Sequence, residues 1–222
     1  MNTQAPDFEQ ARFNMIEQQI RPWEVLDAQV LQTLAQLHRE DFVPPAHRAL
    51  AFADMEIPLP GGQCMLAPRV EARLLQELQV QPTDRVLEIG AGSGYMAALL
   101  SARARSVLTL EIDPELARMA RDNLQRAGRH TVEVRPADGS AGCAGDAPFD
   151  VILLSGSVAE LPPALLEQLA PDGRLAAIVG DEPMMRATVV RRVGTGSFQT
   201  AQPWDTVAPR LRNFPQPSRF RF

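Results

Sequence analysis

The stretch "VLEIGAGSGYMAALL", Val86 to Leu100, decides the fold. An apolar, strand-like run carries the acid Glu88 near its end. Glycines follow at alternate positions, Gly90, Gly92 and Gly94, and an apolar, helix-like segment starts near Tyr95. Strand, glycine turn and helix in that order form a βα step of an open parallel sheet, in which ligands sit beyond the carboxyl ends of the strands. Glycine there admits positive φ and lets a ligand approach the backbone closely. A tight turn that holds nothing would use the same glycines, so the neighbouring elements have to decide.

Downstream the pattern alternates. "SVLTLE" reads as a strand, followed by a helix from Pro114 with Asp113 as its N-cap. "TVEVR" is a strand and leads into a glycine-rich loop at 139–145. "FDVILLS" reads as a buried strand with a helix over 161–169 behind it, and "GRLAAIVG" as another strand. "ATVVRRV" and "FQTAQPW" read as two strands with no helix between them. This predicts an α/β fold with a mostly parallel sheet, helices on both faces and an antiparallel end. Upstream, 7–20 and 24–37 read as amphipathic helices separated by Arg21-Pro22, and 68–78 as a helix with proline in its first turn. The segment with Pro44, Pro45, Pro58 and Pro60 cannot form a long helix. The chain is expected to be a single domain: 1–80 as a helical extension and acceptor-side segment, 81–222 as a cofactor-binding core.

Two more acids point to what the glycines hold. Glu111 ends the second strand of the alternation, 19 residues after Gly92, where a carboxylate can take both hydroxyls of a ribose. Asp138 follows the third strand, where it can accept from an adenine amino group. The dinucleotide pattern G-x-G-x-x-G fails because Tyr95 stands at its third glycine, and no lysine follows the loop as a P-loop requires. The form E-x-G-x-G-x-G instead resembles motif I of the class I S-adenosylmethionine methyltransferases. Glu88 suits a ligand with a cationic amino group better than a phosphate.

The likeness extends along the chain. "MIEQQIRPWEVLDAQVL", "REDFVP", "GGQCMLAPRVEARLLQEL", "VLEIGAGSGYMAALL", "ADGSAG", "APFDVILLSG" and "LPPALLEQLAPDGRLAAIVG" occur in this order. From Met15 to about Gly180 the sequence resembles the protein-L-isoaspartate O-methyltransferase family. That resemblance implies a Rossmann-like, seven-stranded sheet. It also implies methyl transfer from S-adenosylmethionine to the α-carboxylate of isoaspartyl residues in damaged proteins or peptides. By position, the cofactor site would comprise Glu88, Gly90, Ala91, Gly92, Gly94, Glu111, Ile112, Asp138, Gly139 and Ser155.

The acceptor side departs from the family. The family's Gln-Thr-Ile-Ser before a proline is here Gln63, Cys64, Met65, Leu66, with Ala67 ahead of Pro68. Leu66 holds the position of the serine that helps place the acceptor carboxylate, and Arg69 follows the proline where the family has an aromatic residue or histidine. Ser155 keeps the hydroxyl of the family's threonine; Gly156 and Ser157 replace alanines, and Ala137 replaces a glycine. The acceptor-side candidates are therefore Leu66, Arg69 and Ser155. Transfer to an ionised carboxylate needs alignment rather than a strong base. Losing one orienting hydrogen bond to a charged group would cost roughly 1.5–3 kcal/mol, on the order of ten- to hundredfold in rate. Arg69 offers a compensating contact to a carboxylate; the alternative is a solvated arginine in a helix's first turn. A same-fold enzyme with a small-molecule or other carboxylate acceptor, and a cofactor-binding protein without transferase activity, stay open at this point.

Composition excludes several classes. Net charge is −5, so no basic field draws the chain to nucleic acid, and no Asn/Asp-Pro-Pro-Tyr-like motif follows the fourth strand. No apolar run approaches the ~18 residues of a membrane span, and the start, "MNTQAPDFEQ", lacks signal-peptide features. Two cysteines 79 residues apart and three scattered histidines fit neither a disulfide framework nor a metal site. The expectation is a cytoplasmic, metal-free protein with no nucleic-acid or membrane partner. Cys64 reads as structural, since methyl transfer needs no covalent step. Arg210, Arg212, Arg219 and Arg221 read as a solvated tail, with Phe214, Phe220 and Phe222 packed on the body.

Overall fold

The structure, a computed structural model, describes residues 7–216. The strand-like run at the glycine loop is β3, Arg85–Ile89, an interior strand of a seven-stranded sheet. Two small strands precede it, β1 (Ile57–Pro58) and β2 (Cys64–Met65), paired antiparallel as a separate ribbon. After it come β4 (Ser106–Glu111), β5 (Val132–Pro136), β6 (Phe149–Val158), β7 (Leu169–Asp181), β8 (Met184–Gly194) and β9 (Ser197–Asp205). The order across the sheet is β5-β4-β3-β6-β7-β8-β9. Strands β3 to β7 pair in parallel, and β8 and β9 return as antiparallel hairpin strands. Chain order reverses at β3, with β4 on one side and β6 on the other, so the loop after β3 lies at a topological switch point.

The central strands are buried on both faces, and their alternation sorts the core into two clusters. Val86, Val107, Val151, Leu153, Ala176 and Ile178 face one side, under α1 (Phe8–Met15), α2 (Ala28–Gln36), α3 (Pro68–Leu78), α4 (Tyr95–Ser101) and α5 (Pro114–Arg126). Leu87, Ile89, Leu108, Leu110, Ile152, Leu154 and Leu175 face the other, covered by the short α6 (Pro163–Glu167) and by irregular chain that includes Phe214. Helices lie on both faces as expected, but unequally.

Local chemistry explains the element ends. Asp27 and Asp113 cap α2 and α5, each accepting from two backbone N–H groups. The first helix is shorter than the 7–20 pattern suggested: past Met15 it widens into a π turn over Ile16–Ile20 and a 3-10 turn at Arg21–Trp23, where Pro22 can offer no N–H. The proline-rich stretch holds only 3-10 turns and the ribbon. Strand β6 runs on to Val158 across a register shift after Leu153, so Ser155 and Ser157 sit at its carboxyl end.

Candidate active site

The carboxyl ends of β3, β4 and β5 open into a cleft. Gly90, Gly92, Glu111, Ile112, Asp138, Gly139 and Ser155 line it. Gly90 has φ +94°, and a Cβ there would lie 2.9 Å from the Leu211 side chain. Gly94 has φ +87°, caps α4, and brings α4 against α5: a Cβ would lie 3.1 Å from the Ala120 carbonyl oxygen. Glu111 organises the loop from below. Its Oε2 accepts from Gly92 N at 2.8 Å and its Oε1 from Asp113 N at 3.0 Å. A carboxylate has about four lone-pair sites, so each oxygen retains one for a ligand hydroxyl. Asp138 accepts from Ser140 N at 2.9 Å and from Asn213 Nδ2 at 2.9 Å, and these donors hold its carboxyl below the usual range.

Glu88 sits elsewhere than expected. It is fully buried and does not line the cleft. Its register partner on β4 is Thr109, whose hydroxyl donates to Oε2 at 2.7 Å, and Ser155 Oγ donates to Oε1 at 2.7 Å. Burial pushes its pKa up to about 8, against the pull of the two hydroxyls. Glu88 therefore positions Ser155 and ties three strands together, and the expected contact with a cofactor amino group is not part of this geometry. Ala91 and Gly94 also shape the loop from outside the cleft lining.

The acceptor-side segment is anchored by Arg39, which is fully buried. Its guanidinium donates to Ala51 O at 3.0 Å, Leu66 O at 2.7 Å and the Glu71 carboxylate, and lies 4.7 Å from the Tyr95 ring centroid. Leu66 is thus tied to Arg39 through its backbone carbonyl. Its side chain is 6% exposed in the helix-side core and does not line the cleft. The leucine side chain therefore puts no apolar group into the cleft. Arg69 pairs with Asp54 at 2.6 Å and stacks 4.1 Å from the Trp23 ring; it lies outside the lining and stays partly exposed. The residue of this segment that does face the cleft is Cys64, beside Gln63. Burial and Glu56, 3.6 Å from the sulfur, push the thiol pKa up to about 12, so it is no thiolate nucleophile.

Several lining residues escaped the sequence reading. Leu211, Arg212 and Phe214 close the cleft from the C-terminal side. Phe214 is packed on the body as expected, and Arg210 and Arg212 are hydrogen-bonded to the body while Arg212 stays exposed. Arg219, Arg221, Phe220 and Phe222 lie outside the described residues. Larger surface grooves lie elsewhere, among them one along α5 and one at the amino ends of β3 and β4. Neither has the glycine loop or the strand-end acids. Three glycine-turned approaches, two acids with spare acceptors and an apolar wall of Ile112, Leu116 and Phe214 fit an adenosine-containing cofactor.

A family model described as protein-L-isoaspartate(D-aspartate) O-methyltransferase matches residues 10–207. The chain belongs to this family. A protein-L-isoaspartate O-methyltransferase of Koribacter versatilis is 43% identical over 181 residues, 82% of each chain. One of Myxococcus xanthus is 47% identical over 156 residues, 70% of this chain and 74% of that one. A crystal structure described as a protein-L-isoaspartate O-methyltransferase of Plasmodium falciparum, in complex with S-adenosyl-L-homocysteine, superposes with a TM-score of 0.77. It covers 93% of this chain and 99% of that one at 18% identity, which speaks for the fold. Among the described residues of this family member, no helix is long and apolar enough to cross a membrane.

Proposed function

We infer that this protein transfers the methyl group of S-adenosylmethionine to the carboxylate of L-isoaspartyl residues in proteins or peptides. The observation that carries this is the family match across 10–207, with the glycine loop, Glu111 and Asp138 converging on one cleft. When bound, S-adenosylmethionine supplies an electrophilic methyl group. The chain's residues then bind and align. Glu111 offers its spare lone pairs to a ribose, Asp138 and Ile112 flank the place for an adenine, and the buried Glu88 holds the Ser155 hydroxyl at the cleft floor. An ionised acceptor carboxylate needs no base, so alignment and exclusion of water carry the rate. The same proposal takes 1–80 as the acceptor-side part and 81–222 as the cofactor core of one domain.

A second acceptor class is favoured by one observation. The wall facing the glycine loop presents Cys64 and Gln63, and the position of the family serine turns Leu66 into the core. A carboxylate other than isoaspartate, on a small molecule, would suit the same alignment chemistry. Transfer of labelled methyl to an isoaspartyl peptide, with the matched aspartyl peptide as control, separates the two. Selective transfer to isoaspartate is expected; bound cofactor with no transfer to either peptide would leave the second acceptor class standing.

A further inference from the structure

We propose that Arg212 is the carboxylate-binding residue of this cleft. The inference rests on methyl transfer to a carboxylate in the cleft, as argued above. Among the described lining residues Arg212 is the one cation, while Glu111 and Asp138 are both acids. Both molecules this chemistry brings together carry a carboxylate: the amino-acid end of the cofactor and the isoaspartyl acceptor.

The backbone holds Arg212 in place. Ser157 N donates to Pro209 O at 2.7 Å, Leu211 N to Ser157 O at 2.9 Å, and Ser157 Oγ to Ala208 O at 2.7 Å. Phe214 is buried at the far end, and Asn213 reaches Asp138. The chain therefore crosses the carboxyl end of β6 as a fixed strap. The guanidinium donates through Nη2 to Gly61 O at 2.9 Å. Nη1 lies 3.5 Å from Asp113 Oδ2, the outer limit of a hydrogen bond. Asp113 already uses its other oxygen to cap α5. Of five N–H donors, three keep no partner among the described residues, and the side chain is 40% exposed. A planar fork with spare donors, flanked by the apolar Leu211 and Phe214, suits a carboxylate better than any other group here. Arg69 is spent on Asp54 and Trp23, and Arg210 on Asp181 and Gly180 O, away from the cleft.

The test uses the full chain as wild type, Arg212→Ala, Arg212→Lys and Arg210→Ala. It measures the isoaspartyl-peptide KM and the Kd values of S-adenosylhomocysteine and 5′-methylthioadenosine, which lacks the carboxylate. If the acceptor is held, Arg212→Ala raises peptide KM at least tenfold, leaves S-adenosylhomocysteine binding within twofold, and Arg212→Lys recovers part of the loss. If the cofactor is held, S-adenosylhomocysteine weakens at least tenfold and 5′-methylthioadenosine does not change. Either result supports the proposal. It is overturned if neither constant moves, if 5′-methylthioadenosine weakens equally, or if Arg210→Ala, which loosens only the strap, has the same effect. A wild type that binds S-adenosylhomocysteine but methylates no isoaspartyl peptide sinks the acceptor assignment alone, and the binding arm still judges Arg212.

Discussion

Two walls face each other across the cleft, and different means hold them. The glycine wall, 85–95, grows from an interior strand bonded on both sides. Gly90 N donates to Leu110 O at 2.8 Å and Gly92 N to the Glu111 carboxylate. Its conformation comes from neighbouring strands and its own glycines. The opposite wall, 57–69, is a ribbon of two short strands. It is fixed by Arg39, 27 residues away from Leu66 in sequence. Arg39 therefore carries for that wall what a whole sheet carries for the other.

The largest expected effect follows from that difference. Arg39→Met would leave the Glu71 carboxylate and the Leu66 carbonyl buried without their donor, a loss of about 3–5 kcal/mol. For a chain of this size, that lowers Tm by roughly 10 °C or more. The double variant with Glu71→Leu should recover a large part, because no unpaired charge remains. Calorimetry decides; a Tm shift under about 2 °C for the single variant would mean that packing, not Arg39, holds the wall.

Leu66→Ser is the next largest. Removing a buried side chain and burying a hydroxyl in its place costs about 2–4 kcal/mol. Because the side chain points into the core, the substitution should lower stability without a tenfold gain in kcat/KM for an isoaspartyl peptide. Such a gain would show that the ribbon turns this position into the cleft during turnover, and the two walls would then differ in mobility as well as anchoring.

The glycine wall makes its own prediction through Glu88. Burial raises its folded pKa to about 8, above its ordinary value of 4.5. Between those values the folded state holds a proton that the unfolded state has released. This group's contribution is therefore fully present below about pH 4.5 and lost as pH rises through about 8. Glu71 shifts in the same direction, to about 7, chiefly by burial and against the pull of Arg39. The comparison of wild type with Glu88→Gln isolates Glu88. The wild type should lose several degrees of Tm relative to Glu88→Gln between pH 5 and 8, and parallel curves would mean Glu88 is ionised throughout.

The difference between the walls also explains what was legible in the sequence. The strand runs, the α5 cap at Asp113, the glycine loop and the acids Glu111 and Asp138 are local patterns, and all lie where their spacing placed them. Glu88 was legible as an acid in the loop motif, but not its direction. That depends on strand alternation and on Thr109 across the sheet. The opposite wall offers no such period. Whether Cys64, Leu66 or Arg69 faces the cleft depends on a two-residue ribbon and on Arg39, and neither has a sequence signature. The strap fell out of reach for the same reason. "PRLRNF" alternates charge and apolar residues as an exposed tail would, and only the Ser157 pairing places Arg212 at the cleft.

Arg69 gives the smallest expected effect and the sharpest reading of the acceptor wall. Its side chain is 32% exposed, its partner Asp54 is 26% exposed, and its stack on Trp23 is at the surface of the segment. A half-exposed pair with a stacked ring is worth about 0.5–1 kcal/mol. Arg69→Ala should therefore lower Tm by only a few degrees and leave peptide KM within twofold, while Arg212→Ala shifts a carboxylate-dependent constant at least tenfold. Arg212 lines the cleft and Arg69 lies outside it, so the pair of KM values reports which side the acceptor uses. A fivefold rise for Arg69→Ala, with Arg212→Ala silent, would place the acceptor path over the outer face, along Asp54 and Trp23. The cleft between the two walls would then hold the cofactor alone.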